Sequence, residues 1–90
     1  MEKEIFSNES KCIASLLKRY RNKASLTQTQ LATLIGTGQS YVSKIERGEL
    51  TVSIIDMLHI CTALQVDPSK FISDLEIEIK SVRMLKKPTS

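Results

Sequence analysis

Residues 27–48 contain two short helix patterns that are separated by a tight turn. Thr27 and Gln30 have the spacing of a capping box, in which a threonine side chain and a glutamine side chain satisfy the first backbone amides of a helix. Apolar residues then follow at helical spacing, and Gly36 is typical of the left-handed residue that ends a helix. A second pattern begins directly after this turn and ends at Gly48. The chain is therefore predicted to form two short helices that are joined by this turn.

Similar patterns predict three further helices around this pair. Helix one has Ser10 as its N-cap, helix four has Ser53 as its N-cap, and helix five begins at Pro68. The sequence thus predicts an all-α fold, a bundle of five helices. The predicted organisation is an N-terminal tail at residues 1–9, one domain at residues 10–76 and a C-terminal extension at residues 77–90. The predicted limits of the first three helices are residues 10–23, 28–35 and 39–47.

Residues 75–85 fit two patterns. Leu75, Ile79 and Val82 continue a helical stripe, whereas residues 75–80 also alternate between apolar and charged as a strand does. We expect helix five to continue through this segment, and a dimer-forming strand is the alternative.

The composition is that of a single globular domain without a catalytic centre. Of the 90 residues, 41% are hydrophobic and 26% are charged. No apolar run is long enough to span a membrane, and the first residues lack the apolar segment of a secretion signal, so we expect a cytoplasmic protein. Cys12 and Cys61 are predicted to be small buried hydrophobes in a reducing compartment, and His59 a half-exposed helical residue. No nucleophile–base pair, metal cluster or glycine-rich phosphate loop is recognisable, so no enzyme, cofactor or metal is expected.

Charge is distributed unevenly along the chain. Residues 11–55 contain seven basic and two acidic residues, whereas residues 56–79 contain one basic and five acidic residues. This division favours one surface that attracts a polyanion and another that avoids it. A solvated surface with accidental clustering is the alternative.

Residues 26–48 resemble the helix-turn-helix of the XRE family, the Cro/CI-type repressors. The residues that carry the resemblance are Thr-Gln-Thr-Gln at 27–30, Ile-Gly-Thr-Gly at 35–38 and Ser-Lys-Ile-Glu-Arg-Gly at 43–48. The likeness extends over about residues 10–75, and the part from 39 to 48 with the apolar helix that follows is similar to restriction–modification controller proteins. The resemblance implies a lambda-repressor-like domain, with helices two and three forming the helix-turn-helix, that regulates transcription from double-stranded DNA. Phage or plasmid repressors and antitoxins share the pattern.

In such a fold the second helix of the motif enters the major groove and the first crosses the backbone. Gln39 begins helix three, and its amide can pair with adenine N6 and N7, while Lys44 can reach guanine or a phosphate. Gln28, first on helix two, is expected to hold a phosphate. The predicted DNA-binding residues are Gln28, Thr37, Gln39, Ser40, Tyr41, Ser43, Lys44 and Arg47. Tyr41 is included by resemblance, and packing against the domain is its alternative.

The resemblance also implies a structural ion pair and two departures from the family pattern. Arg21 and Glu46 are expected to form a partly buried salt bridge between helix one and the end of helix three. Many relatives have glycine where this chain has Ser25 and Gln65, so a positive φ there would be strained. Leu50 stands where some controller proteins have an arginine that assists DNA contact, so that contact is absent or replaced here.

Helices four and five offer more apolar surface than one small core requires. We therefore predict a homodimer, because a two-fold pair doubles the contacts across a palindromic operator. The predicted interface residues are Ile55, Leu58, Ile60, Ile72, Leu75 and Ile79. No small-molecule effector and no membrane contact is expected.

A protein-interaction module, such as an antitoxin or a complex subunit, is the main alternative, since a helix-turn-helix can also dock a protein. Against it stand the basic outer surface and the short polar side chains at Gln39, Ser40 and Ser43, where a partner-binding helix more often has large apolar anchors. The sequence specifies neither the operator nor the direction of regulation.

Overall fold

A computed structural model describes the backbone of residues 2–86 and the side chains of residues 9–82. Within the described residues there are five helices and no strand, which confirms the predicted all-α fold. The helices are α1 (Glu2–Lys23), α2 (Gln28–Leu34), α3 (Gln39–Glu46), α4 (Ile54–Leu64) and α5 (Pro68–Lys86).

The first helix is longer than its sequence pattern predicted. α1 begins at Glu2, so residues 2–9 are helical and not a tail, and Ser10 lies inside the helix at 6% exposure instead of capping it. The prediction took a good capping residue for a helix start. Residues 2–9 contain no glycine or proline that would end a helix, so the helix can continue past this position.

The last helix resolves the ambiguity at residues 75–85. α5 runs without interruption to Lys86, so this segment is helical and the alternative of a strand is wrong. The part of the predicted extension up to Lys86 therefore prolongs α5, and residues 87–90 lie outside the described residues. α5 is attached to α1 by a hydrogen bond from Tyr20 to Asp74 and by an ion pair between Arg19 and Glu78.

The core consists of two adjoining apolar clusters. The first contains Leu17, Leu31, Ala32, Val42, Ile45, Ile60 and Leu64. The second contains Leu16, Met57, Cys61 and Phe71. α4 contributes to both through residues 57, 60, 61 and 64, which lie on one face of a helix. Since helices α1, α2 and α3 all contact this core, the position of α3 is set by the burial of its inner face.

Four helices end in the same way, with a left-handed residue that closes two backbone hydrogen bonds. After α2 the amide of Thr37 donates to Ala32 O at 2.9 Å and that of Gly36 to Thr33 O at 3.2 Å, and equivalent pairs follow α1, α3 and α4. The left-handed residue is glycine at positions 36 and 48, each with φ +75°. At Ser25 and Gln65 φ is 60° and 58°, so the condition for backbone strain at these two non-glycine residues is met.

Candidate nucleic-acid interface

The turn between α2 and α3 is fixed by local hydrogen bonds at both ends. The predicted capping box is present: Thr27 Oγ1 accepts from the Gln30 amide at 3.0 Å, and Gln30 Oε1 accepts from the Thr27 amide at 2.9 Å. The left-handed Gly36 then turns the chain, and α3 begins after an extended Gly38. The local sequence therefore determines the residue at which α2 begins and the residue at which α3 begins.

α3 has one buried face and one polar exposed face. Val42 and Ile45 are completely buried, which turns the opposite side of the helix outward. Four of the predicted DNA-binding residues are exposed, namely Gln39, Ser40, Lys44 and Arg47. Three are half-buried, namely Gln28, Thr37 and Ser43. None of the exposed large apolar side chains among residues 9–82 lies on α3, so its outer face offers polar hydrogen-bonding groups.

The Arg21–Glu46 pair lies directly behind this face. Arg21 Nε and Nη2 donate to the two carboxylate oxygens of Glu46 at 2.6 and 3.0 Å, and the two side chains are only 10% and 3% exposed. Arg21 Nη1 also donates to the backbone oxygen of Leu26 at 2.7 Å. The structure thus contains the ion pair that the family resemblance implied, and this pair joins α1, the α1–α2 connection and α3.

Two glutamines connect the ion pair to the exposed face of α3. The sequence did not reveal this connection. Gln28 Nε2 donates to Glu46 Oε1 at 3.0 Å, and Gln39 Nε2 donates to Gln28 Oε1 at 2.7 Å. Gln28 is on α2, whereas Gln39 and Glu46 are at opposite ends of α3, so the three side chains meet only because α2 packs against α3. The capping box located Gln28 at the start of α2 and the turn after Gly36 located Gln39 at the start of α3, but only the packing of the two helices brings their amides together.

Arg47 is already engaged by neighbouring side chains. Its Nε and Nη2 donate to both oxygens of Glu49 at 2.9 and 3.1 Å, and its Nη1 donates to Ser43 Oγ. The hydrogen bond from Arg47 lowers the pKa of Glu49, and the same interaction raises the pKa of Arg47. The pair is exposed, with side-chain exposures of 54% and 53%, so a phosphate can compete for the guanidinium.

Tyr41 lies against the body of the domain. Its ring packs on the first core cluster, and its hydroxyl donates to Asp56 Oδ2 in α4. Burial, together with this hydrogen bond, raises the pKa of Tyr41 to about 12. In this conformation the hydroxyl of Tyr41 is hydrogen-bonded inside the protein. This agrees with the alternative that Tyr41 packs against the domain.

The residues predicted to form the dimer interface differ in how exposed they are. Ile55, Leu58 and Ile72 are exposed at 59%, 44% and 43%, and Leu75 and Ile79 are half-buried. Ile60 is 1% exposed within the first core cluster, so its assignment to an interface is wrong. Ile54, which was not predicted, is 65% exposed beside Ile55. We call Ile54, Ile55 and Leu58 the α4 apolar face.

The remaining reactive residues do not form a second site in the part of the chain that the structure describes. Cys12 and Cys61 are buried free thiols, as predicted, and burial raises the pKa of both. His59 is exposed on α4. Among the described residues no cluster of His, Cys, Asp or Glu could hold a metal ion, and no helix has the length and apolarity to cross a membrane.

The chain is similar to a known protein family, to control proteins and to solved structures. A model of the helix-turn-helix family HTH_3 matches residues 17–71. The control protein C.MunI of Mycoplasma sp. is 33% identical over 63 residues, which are 70% of this chain and 85% of that protein. The crystal structure of the restriction-modification controller protein C.AhdI from Aeromonas hydrophila has a TM-score of 0.69 and 32% identity, covering 72% of this chain and 94% of that one.

A further similar structure contains DNA. The restriction-modification controller protein C.Esp1396I was crystallised as a tetramer in complex with its natural 35 base-pair operator. That protein shares 26% identity with this chain at a TM-score of 0.72, and the match covers 80% of this chain and 95% of that one.

Proposed function

Because the chain belongs to the helix-turn-helix family HTH_3, we propose that it is a transcription regulator that binds a palindromic operator in double-stranded DNA as a homodimer. The observation that carries this proposal is the outer face of α3, which offers amides, hydroxyls and cationic groups next to a tight turn. The similar controller protein C.Esp1396I, whose operator complex is known, supports the same function.

In this proposal α3 lies in the major groove and α2 crosses the DNA backbone. Gln39 at the start of α3 reads a base edge, for which adenine is the best match to an amide. Ser40 and Ser43 complete the base contacts, and Lys44 reaches guanine or a phosphate. Arg47 binds a phosphate after leaving Glu49. Gln28 and Thr37 lie behind this row and contact the DNA backbone.

Two half-sites require two copies of α3 about 34 Å apart, or one turn of DNA. The α4 apolar face is the proposed centre of the dimer interface, because three neighbouring large apolar side chains exposed on one helix are costly in a monomer. Ile72, Leu75 and Ile79 of α5, which are exposed or half-buried, are the other residues that we assign to this interface. The acidic second half of the chain then lies away from the DNA.

The alternative of a protein-interaction module has less support. A helix that docks a protein presents large apolar or aromatic anchors, and α3 has none among its exposed side chains. Binding DNA in this manner requires no catalytic group and no cofactor, so we also infer that the chain is not an enzyme.

Selection of bound fragments from random DNA tests the proposal directly. We expect a palindromic site. We also expect the affinity to fall steeply between low and physiological salt, because protein binding releases cations from the DNA phosphates and this release is less favourable at higher salt. Arg47→Ala should weaken binding to all sequences and reduce the slope of log affinity against log salt by about one. Enrichment of no sequence, with no retention on bulk DNA at low salt, would reject the function.

A further inference from the structure

The guanidinium of Arg47 holds two side chains at the same time at the end of α3. Its Nε and Nη2 atoms donate to the two oxygens of Glu49 at 2.9 and 3.1 Å, and its Nη1 atom donates to the hydroxyl of Ser43. The backbone amide of Arg47 also donates to Ser43 O at 3.0 Å. Arg47 therefore contacts Ser43 through both its main chain and its side chain.

The hydroxyl of Ser43 keeps its hydrogen available for another partner. An arginine side chain can only donate hydrogen bonds, so the oxygen of Ser43 has to be the acceptor in this pair. Among residues 9–82 the structure shows no acceptor for the O–H group of Ser43. Thr33 and Thr62, by contrast, donate their hydroxyls to backbone oxygens one helical turn earlier, each at 3.0 Å. Ser43 is therefore poised to donate to a group outside the protein.

The neighbouring positive charge makes this hydroxyl a better donor than acceptor. A hydrogen bond from a cation polarises the O–H group and strengthens the bond that this group then donates. A second N–H group that approached the same oxygen would meet the charge of the guanidinium. In the major groove, purine N7, guanine O6 and thymine O4 are acceptors, whereas cytosine offers only the donor of its exocyclic amine. The Ser43 hydroxyl is therefore suited to the acceptors and not to cytosine.

Replacement of Glu49 by DNA is compatible with this arrangement. The carboxylate of Glu49 is bound through Nε and Nη2, and arginine uses the same bidentate geometry for phosphate. A DNA phosphate can therefore take the place of the carboxylate while Nη1 keeps its hydrogen bond to Ser43.

We propose that Arg47 is a positioning residue for Ser43: by donating to the Ser43 hydroxyl, it makes Ser43 select a base that presents an acceptor in the major groove. This inference rests on the proposed DNA-binding function. It gives Arg47 a role in specificity besides its contact with a phosphate. The base that Ser43 accepts then depends on a side chain that itself touches no base.

The test removes the guanidinium and measures the base preference at each position of the selected operator. Arg47→Met keeps an unbranched side chain but has no donor. Arg19→Met is the matched control, because Arg19 is 55% exposed, against 54% for Arg47, and its ion pair with Glu78 lies outside α3. The base pair read by Ser43 is first identified as the one whose preference is reduced by Ser43→Ala. Thermal melting confirms that each variant is folded, and Arg47→Ala replaces the methionine variant if that variant does not fold.

We expect the unaltered protein to disfavour cytosine at the position that Ser43 contacts. Arg47→Met should reduce this preference by roughly fivefold, which a single hydrogen bond can supply, in addition to the loss of affinity for all sequences. Preferences at the other positions should be retained. Arg19→Met should leave every preference unchanged, and so should Glu49→Gln, which keeps the bond between Arg47 and Ser43. In a Ser43→Ala background, Arg47→Met should have no further effect on discrimination.

Three results would overturn the inference. An equal loss of affinity for every sequence in Arg47→Met would show that Arg47 acts only on a phosphate. A preference for cytosine at the position read by Ser43 would show that the hydroxyl oxygen accepts from the base. A Ser43→Ala variant that keeps every preference would show that Ser43 reads no base. Failure of the unaltered protein to select any DNA would instead reject the proposed function itself.

Discussion

The guanidinium of Arg21 and the carboxylate of Glu46 meet in two hydrogen bonds, of 2.6 and 3.0 Å, across the contact between α1 and α3. Both side chains are almost fully buried, so neither charge is well hydrated if the other is lost. The pair also fixes the loop before α2 through Leu26. Stability and the placement of the proposed DNA-binding face of α3 therefore both depend on this contact.

Removing Glu46 is expected to destabilise the fold strongly. Glu46→Ala leaves Arg21 as an unpaired buried cation, which costs about 3–5 kcal/mol in the free energy of unfolding. Denaturant titration followed by circular dichroism measures this change. Glu76→Ala is the control, because its ion pair with Lys80 is exposed and its loss should change stability by no more than about 0.5 kcal/mol. Equal effects of the two variants would contradict the importance of the buried pair.

Neutralising Glu49 is expected to strengthen DNA binding. In the free protein Glu49 occupies the guanidinium of Arg47, so Glu49→Gln should raise the affinity for operator DNA severalfold. Fluorescence anisotropy at fixed salt provides the measurement. If the effect acts through Arg47, the gain should largely disappear in an Arg47→Ala background. The same gain in both backgrounds would indicate only the removal of a negative charge near DNA.

Glycine is expected to stabilise two helix ends. Ser25 and Gln65 are left-handed, a conformation that costs a residue with a Cβ atom roughly 1–2 kcal/mol. Ser25→Gly and Gln65→Gly should each raise the free energy of unfolding by about 1 kcal/mol, and thermal melts should show a higher Tm. Ser73→Gly, within α5, should lower stability by about 0.5 kcal/mol, because glycine is a poor helix residue. Lower stability in all three variants would refute this account.

A charge on the α4 apolar face is expected to prevent dimerisation. Ile55 is 59% exposed in the single chain, so Ile55→Glu should fold but sediment as a monomer at concentrations where the unaltered protein is a dimer. Ile77→Glu is the control, since Ile77 is 60% exposed on α5 and outside the proposed interface. A dimer that persists in Ile55→Glu but dissociates in Ile77→Glu would move the interface to the other surface.

Alkaline pH is expected to weaken the fold partly through Tyr41. Its pKa in the folded protein is about 12, above the ordinary tyrosine value of about 10, because burial and Asp56 favour the neutral phenol. The stabilisation is complete below pH 10 and is lost as the pH rises from 10 toward 12. Tyr41→Phe, which cannot ionise, should show a smaller loss of unfolding free energy over this interval. Identical pH dependence in the two proteins would exclude a contribution from Tyr41.

Local sequence signals predicted the helix-turn-helix well because they act over a few residues. The capping residues Thr27 and Ser53 and the turn residue Gly36 have the predicted geometry. Each of these features depends on hydrogen bonds or backbone angles that the neighbouring residues determine by themselves. The family resemblance added what spacing could not supply, including the expectation of the long-range pair between Arg21 and Glu46.

Features that depend on how helices face one another were harder to predict. α4 is apolar around most of its circumference, so its pattern did not reveal that Ile60 faces the core while Ile54 faces outward beside Ile55. The link between Gln28 and Glu46 depends on the crossing of two helices and has no signature in the sequence. The extent of α1 was underestimated because a good capping residue also occurs inside helices.

The separation of the two faces of α3 has a consequence for how such proteins diversify. The inner residues Val42 and Ile45 hold the helix in place, whereas the side chains that face outward contribute little to folding. Evolution can exchange Ser40 or Lys44 and so redirect the protein to a new operator while keeping the scaffold intact. Glu46 lacks this freedom, because a change there would leave the buried Arg21 guanidinium without its partner.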